Sequence, residues 1–159
     1  MSTSAGRHRF SAAVVAAACA LGVPGFAAAT QKTPTYNGIT CSITAANPTL
    51  TSTKQLTGNA SISCTKASTV AATSVTVSYV ITVVEMDGTT EQTLSTSFQK
   101  SLSASITFGK ATAITTYTLA CPSTEAGNEE YATKARVQIT GSTWTLDDRS
   151  VPVNDQYAC

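Results

Sequence analysis

Histidine is nearly missing from this 159-residue chain, and the one present, His8, stands close to the N-terminus. Past that point no Ser-His-Asp or Cys-His arrangement can be assembled. Nucleophilic catalysis therefore loses its usual proton acceptor. A Ser-Lys pair remains formally available at Lys100-Ser101, but no motif surrounds it and the sequence there is strand-like. Charge is scarce as well, at 12% of residues. Such a chain carries no basic face for nucleic acid or for an anionic membrane. After residue 30 no apolar run approaches the roughly 20 residues that cross a bilayer, so no membrane span is expected. Aromatic residues are few, with Trp144 the only tryptophan.

The N-terminal stretch has its own character. Arg7, His8 and Arg9 form a cationic start, Phe10 to Phe26 is apolar or small throughout, and Ala27-Ala28-Ala29 supplies a small-x-small cleavage site. This is the build of a secretory leader, so residues 1–29 read as a signal peptide and 30–159 as the mature domain. With Arg7 and Arg9 removed, the basic residues fall from ten to eight against nine acidic ones. The formal balance then moves from +1 to about −1. Cleavage before Cys19 with lipidation is the competing processing route, and Ala16-Ala17-Ala18 lacks the leucine-like residue usual for it. The expected location is extracellular, with attachment to the cell surface left open.

Four cysteines remain beyond the leader: Cys41, Cys64, Cys121 and Cys159. An even number in an oxidising compartment reads as two disulfides. Their wide spacing, the lack of any C-x-x-C pair and the loss of histidine argue against a metal site. No cofactor and no metal are expected.

What is abundant is serine and threonine, roughly a third of the mature chain, alternating with apolar residues. Alternation of period two makes the hydroxyls the outward face of β-strands. Ile39, Cys41 and Ile43 share a face, as do Ala60, Ile62 and Cys64. Val75, Val77, Tyr79, Ile81 and Val83 form the longest and most apolar run, which places that strand centrally. Asp87-Gly88 suits a tight hairpin into a polar strand over Thr89–Phe98. Leu102, Ala104, Ile106 and Phe108 alternate next, then Tyr117, Leu119 and Cys121. In Tyr131–Thr140, Ala135, Val137 and Ile139 face in. Trp144 and Leu146 mark a last strand before a turn at Asp147-Asp148-Arg149. About eight strands in one domain of about 130 residues fit a single antiparallel sandwich, with a closed barrel as the alternative.

Two disulfide patterns are open. Antiparallel pairing about a Thr51–Lys54 turn sets Cys41 against Cys64, Ile43 against Ile62 and Ala45 against Ala60, like facing like. Cys121 then joins Cys159 and ties down the C-terminal tail. In the rival, Cys64 and Cys121 stand about as far apart as the inter-sheet pair of an immunoglobulin domain, with Tyr79 where that fold keeps a tryptophan. Asp155-Gln156-Tyr157-Ala158-Cys159 also resembles its D-x-Y-x-C corner, though no strand follows it. The resemblance implies an immunoglobulin-like sandwich and points to no particular family.

Candidate sites follow from this frame. The loop Ser123–Glu130, with Ser123, Thr124, Glu125, Asn128, Glu129 and Glu130, is the natural partner-contact surface at one end of a sandwich. Trp144, with Tyr36, Tyr131 and Tyr157 as companions, is a candidate platform for stacking a sugar, against the commoner expectation of a core tryptophan. Glu129-Glu130 and Asp147-Asp148 read as solvated turn acids rather than a hydrolytic pair, with loop-borne calcium as a lesser alternative. Asn59-Ala60-Ser61 matches a glycosylation sequon. The expected function is a non-enzymatic binding or cell-envelope module whose partner is an unknown protein or glycan. A protease inhibitor presenting the Cys121-anchored loop and a carbohydrate-binding module are the alternatives.

Overall fold

The structure, a computed structural model, describes residues 31–32, 35–87, 90–122, 129–150 and 159. The expected leader over 1–29, Cys19, the loop residues Ser123, Thr124, Glu125 and Asn128, and the corner at Asp155–Ala158 lie outside them.

Hydroxyl–apolar alternation becomes an all-β fold of ten strands among the described residues. In chain order these are β1 (Gln31–Lys32), β2 (Ile39–Leu50), β3 (Gln55–Lys66), β4 (Ser74–Asp87) and β5 (Thr90–Thr93), then β6 (Lys100–Thr107), β7 (Ala111–Thr115), β8 (Leu119–Ala120), β9 (Tyr131–Ile139) and β10 (Thr145–Arg149). Two antiparallel sheets form. The first has the order β1-β2-β3-β7 with β8 also on β3, and the second β10-β9-β4-β5 with β6 also on β4. Their inner faces meet in a core that includes Ile43, Ile62, Val77, Ile81, Ile106 and Val137.

The β2–β3 hairpin has the expected register: Cys41 opposes Cys64, Ile43 opposes Ile62 and Ala45 opposes Ala60. Disulfides join Cys41 to Cys64 and Cys121 to Cys159. The first bond therefore lies within one sheet and not between the two. The register slips between Ala46 and Thr49, around Pro48, which has no N–H to give a ladder. The Asn59 amide fills that irregularity, donating to the carbonyls of Thr57 at 3.1 Å and Asn47 at 3.5 Å. The sequon asparagine is thus used internally.

Strand number and bounds differ from expectation at four places. Thr89–Phe98 is not one strand: β5 stops at Thr93, and Thr96–Phe98 form a 3-10 turn in which Ser95 caps Ser97 and Phe98 is buried. The stretch before Cys121 is split, with β7 and β8 flanking Thr116–Thr118, and exposed Tyr117 joins no strand. Asp147, Asp148 and Arg149 belong to β10 rather than to a turn. β1 was not anticipated, although Asn37-Gly38 before β2 is a strong hairpin signal. Both residues take positive φ, 49° and 74°, and Tyr36 and Ile39 bond to each other across them at 2.8 and 2.9 Å.

One glycine governs how the sheets approach. Gly58 faces inward from β3, and a Cβ there would lie 2.9 Å from Val83 Cγ2 and 3.0 Å from Thr116 Cγ2. The space that a side chain would take is filled by methyl groups of Val83, Thr116 and Thr133, and the backbone beside it makes polar contacts. The Gly58 N–H donates to Thr116 Oγ1 at 2.8 Å, and the Asn59 N–H crosses to Thr133 Oγ1 of the other sheet at 3.2 Å. The Thr133 N–H in turn donates to Ser150 Oγ at 2.9 Å. This polar waist separates the main core from a smaller one built on Leu56, Val83, Phe98 and Tyr131.

Candidate functional site

Two acids at one end of the sandwich are buried. Glu129 is only 3% exposed and Glu85 only 5%, and Glu85 is the β4 partner of Tyr131. Burial first, then the nearby Glu129 and Glu85 carboxylates, pushes the Tyr131 hydroxyl above its ordinary value. That hydroxyl donates to the Pro122 carbonyl. Glu130 is half-buried, and its carbonyl accepts from the Met86 N–H at 2.7 Å. The expectation that Glu129 is a contact residue of an exposed loop is therefore corrected, because the chain folds it under the end of the sheets beside Tyr131.

Asp148 is corrected likewise. It points into the space between the sheets and accepts from the Ala45 N–H at 2.7 Å, which satisfies a buried donor on β2. Trp144 is 50% exposed, so the core reading of the lone tryptophan fails. Of its proposed companions, Tyr131 is buried and Tyr36 donates its hydroxyl to the Gly141 carbonyl at 2.7 Å; Tyr157 lies outside the described residues. Among the described residues no three His, Cys, Asp or Glu side chains come together as a metal site.

The outer face of the second sheet brings polar side chains together. Alternation along β4 turns Ser78, Val80 and Thr82 away from the core, and the paired strands bring their own outward residues alongside. Two adjoining depressions result. The first, about 330 Å³, is lined by Ser78, Tyr79, Val80, Ser101, Leu102, Ser103, Arg136, Gln138 and Thr145. The second, about 360 Å³, is lined by Val80, Thr82, Glu91, Lys134, Arg136 and Asp147. Val80 and Arg136 border both.

Ion pairs organise the second depression. Arg136 and Asp147 are direct partners across β9 and β10, with Nε–Oδ1 at 2.5 Å and NH2–Oδ2 at 3.3 Å. This bond is the first cause of the raised Arg136 pKa, followed by the Asp147 charge. Lys134 and Arg149 stand opposite one another as like charges, and Glu91 reaches across from β5 to satisfy both, at 2.8 and 3.4 Å. On the same outer face Val84, Met86 and Ala132 are buried, and Arg149 NH1 lies 3.9 Å from Met86 Sδ. Each pair is partly exposed and contributes under about 1 kcal/mol, so its role is to fix side chains in place.

The first depression has different chemistry. Its lining combines serine and threonine hydroxyls and the Gln138 amide with apolar Tyr79, Val80 and Leu102, and Arg136 supplies the one charge. Gln138 is oriented by donating to the Ser142 carbonyl at 2.7 Å. Nothing lining it pairs a nucleophile with a base. Sequence reasoning treated these serines and threonines as generic strand exteriors. The available signal was β9, where Lys134, Arg136 and Gln138 recur at period two on a single outward row.

No protein-family model matches the chain, and a search of curated proteins finds no significant relative. Two intramolecular disulfides are present, and among the described residues no helix is long and apolar enough to cross a membrane.

Proposed function

We propose that the chain is an exported, non-enzymatic binding module that contacts a neutral, hydroxyl-rich partner, a glycan foremost, through the outer face of its second sheet. The observation that carries this reading is the first depression, where serine and threonine hydroxyls and the Gln138 amide converge over Val80 beside a pinned guanidinium. Such groups exchange hydrogen bonds with sugar hydroxyls in both directions, and a mixed polar and apolar lining suits a pyranose with polar edges and apolar faces. Export is supported by the leader-like N-terminal sequence and the disulfides. An immunoglobulin-like module is the architecture we assign to this role. Two facing antiparallel sheets support it, with the difference that the buried disulfide joins neighbours within one sheet.

The test is a glycan array probed with the oxidised chain, followed by titration of hits against variants. Gln138→Ala and Arg136→Ala are expected to weaken binding about tenfold each, the size of one or two lost hydrogen bonds. Binding that survives both substitutions but disappears on Trp144→Ala would move the site to the exposed tryptophan. Binding lost only when 123–128 are replaced would return it to the end loop.

A further inference from the structure

We propose that the outer groove of the second sheet is closed at one end, and that it takes the end of a neutral glycan chain rather than its middle. The inference rests on the glycan reading above and adds which part of the chain is bound. The two depressions adjoin along β4, where they share Val80 and, from β9, Arg136. Exposure falls in one direction along the outward residues of β4. Thr76 is exposed, Ser78, Val80 and Thr82 are half-buried, and Val84 and Met86 are buried. Alongside, exposed Thr140 follows one end of β9, and at the other end Ala132 is fully buried.

An ion-pair bar lies across the buried end. In the sheet order β4 stands between β9 and β5. Lys134 of β9 and Glu91 of β5 meet at 2.8 Å, so their side chains span β4. Arg149 of β10 joins the same carboxylate at 3.4 Å, with its NH1 3.9 Å from Met86 Sδ. Among the described residues no ion pair crosses β4 at the opposite end, where Thr76 and its partner Ser105 are exposed. The groove is therefore open beyond Ser78 and stopped beyond Thr82.

A chain end has the chemistry for such a stop. Each internal sugar has given one hydroxyl to the next glycosidic bond, and the terminal unit keeps it. Beside the stop, Glu91 and Asp147 offer carboxylate oxygens, and Lys134 and Arg136 offer donors. A carboxylate accepts more bonds than its ion pair uses, so the extra hydroxyl finds charge-assisted partners there. The floor suits a glycan better than a peptide. β4 is already paired on both edges, so it presents side chains only and no strand can be added to it.

Competition at equal mass tests the assignment on the oxidised chain. The probes are soluble glucans, mannans and galactans, each as oligosaccharides from disaccharide to octasaccharide and as the parent polysaccharide. A groove closed at one end counts chain ends, so a polymer about 100-fold longer than its oligosaccharide is expected to inhibit about 100-fold less per unit mass. A groove open at both ends counts internal segments. The polymer would then compete at least as well as its fragments, and that result overturns the proposal. Two variants, checked for folding by circular dichroism and intact mass, locate the stop. Thr82→Tyr fills the closed end and is expected to abolish binding at every length. Thr76→Tyr stands at the open end and is expected to spare the disaccharide while weakening the octasaccharide about tenfold. The reverse pattern overturns the proposal, and if Thr82→Tyr misfolds the comparison on the parent chain still decides. Binding to none of the probes also overturns it, whereas the glycan reading itself falls only if the whole array is negative.

Discussion

The two ends of this sandwich are built from the same long strands by different means. On one side of Gly58, β2, β3, β4, β6 and β9 run in unbroken ladders. Alternating apolar side chains there enclose the main core, with the Cys41–Cys64 bridge sunk inside it. On the other side the same β3 and β4 change neighbours. β8 replaces β7 and β5 replaces β6, and a 3-10 turn delivers Phe98 to a core of four buried residues. Buried acids, threonines and Ser150 crowd this end, and Cys121 and Cys159 pack at its margin, only partly buried. The first end is held by area and periodicity. The second depends on particular hydrogen bonds and a covalent tie, because short edge strands do not bury enough apolar surface.

The largest expected effect compares the two cores directly. Ile62→Ala and Leu56→Ala each empty a fully buried site. Each is expected to cost about 2–5 kcal/mol in urea unfolding, with Ile62 at the upper end because its neighbours lie in continuous ladders and relax less. If Leu56→Ala proves the costlier of the two, the ranking of the ends is reversed.

The disulfides come next. They close loops of 23 and 38 residues, so chain entropy alone makes them similar, about 3–4 kcal/mol each. Accessibility separates them. Cys41 and Cys64 are 1% and 0% exposed, whereas Cys121 and Cys159 are half-buried. Mild reduction followed by alkylation and peptide mass mapping is expected to label Cys121 and Cys159 first. Simultaneous labelling of all four would mean that the ends open together.

A smaller effect probes the waist. Gly58→Ala is expected to destabilise by about 1–3 kcal/mol, since its Cβ forces Val83 or Thr116 aside and strains the bond from Asn59 to Thr133. A neutral result would show that the sheets have slack there.

The smallest effect is tied to pH. Tyr131 is held neutral, its hydroxyl raised above 10.0 by burial and then by Glu129 and Glu85. The stabilisation from the neutral phenol is complete below the unfolded-state value near 10 and is lost as pH climbs from there toward the folded-state value. Tyr131→Phe is expected to cost about 1 kcal/mol at neutral pH, through the bond to Pro122. The variant should then show a flatter decline above about pH 10 than the parent chain. An equally steep decline in both would assign the alkaline loss to other groups.

Much of the first end was legible in advance because period-two alternation carries the information. The pairing of Cys41 with Cys64 follows from matching apolar faces across one turn, and β9 alternates from Lys134 to Ile139. The second end was not legible. Phe98 reads as a strand residue until β5 proves too short to include it. Tyr117, Leu119 and Cys121 alternate on paper, yet Thr116 and Thr118 turn instead to β3, at the Gly58 carbonyl and the Thr57 hydroxyl. Glu129 and Asp148 look solvated because an acid's burial depends on donors that come from distant strands. For Asp148 that donor is the Ala45 N–H, 103 residues away. The groove on the second sheet was hidden for a related reason, since its lining comes from β4, β6, β9 and β10 and no single stretch contains it.

By itself the amino-acid order determined strand character, the inward and outward faces, and the hairpin register that aligns two cysteines. These are local consequences of pleat geometry and of burying like with like. Tertiary structure decided which edges remain free, which acids are buried and where polar side chains converge. Each of those outcomes depends on the distance between groups far apart in the chain, and that distance exists only once the two sheets have closed on Gly58.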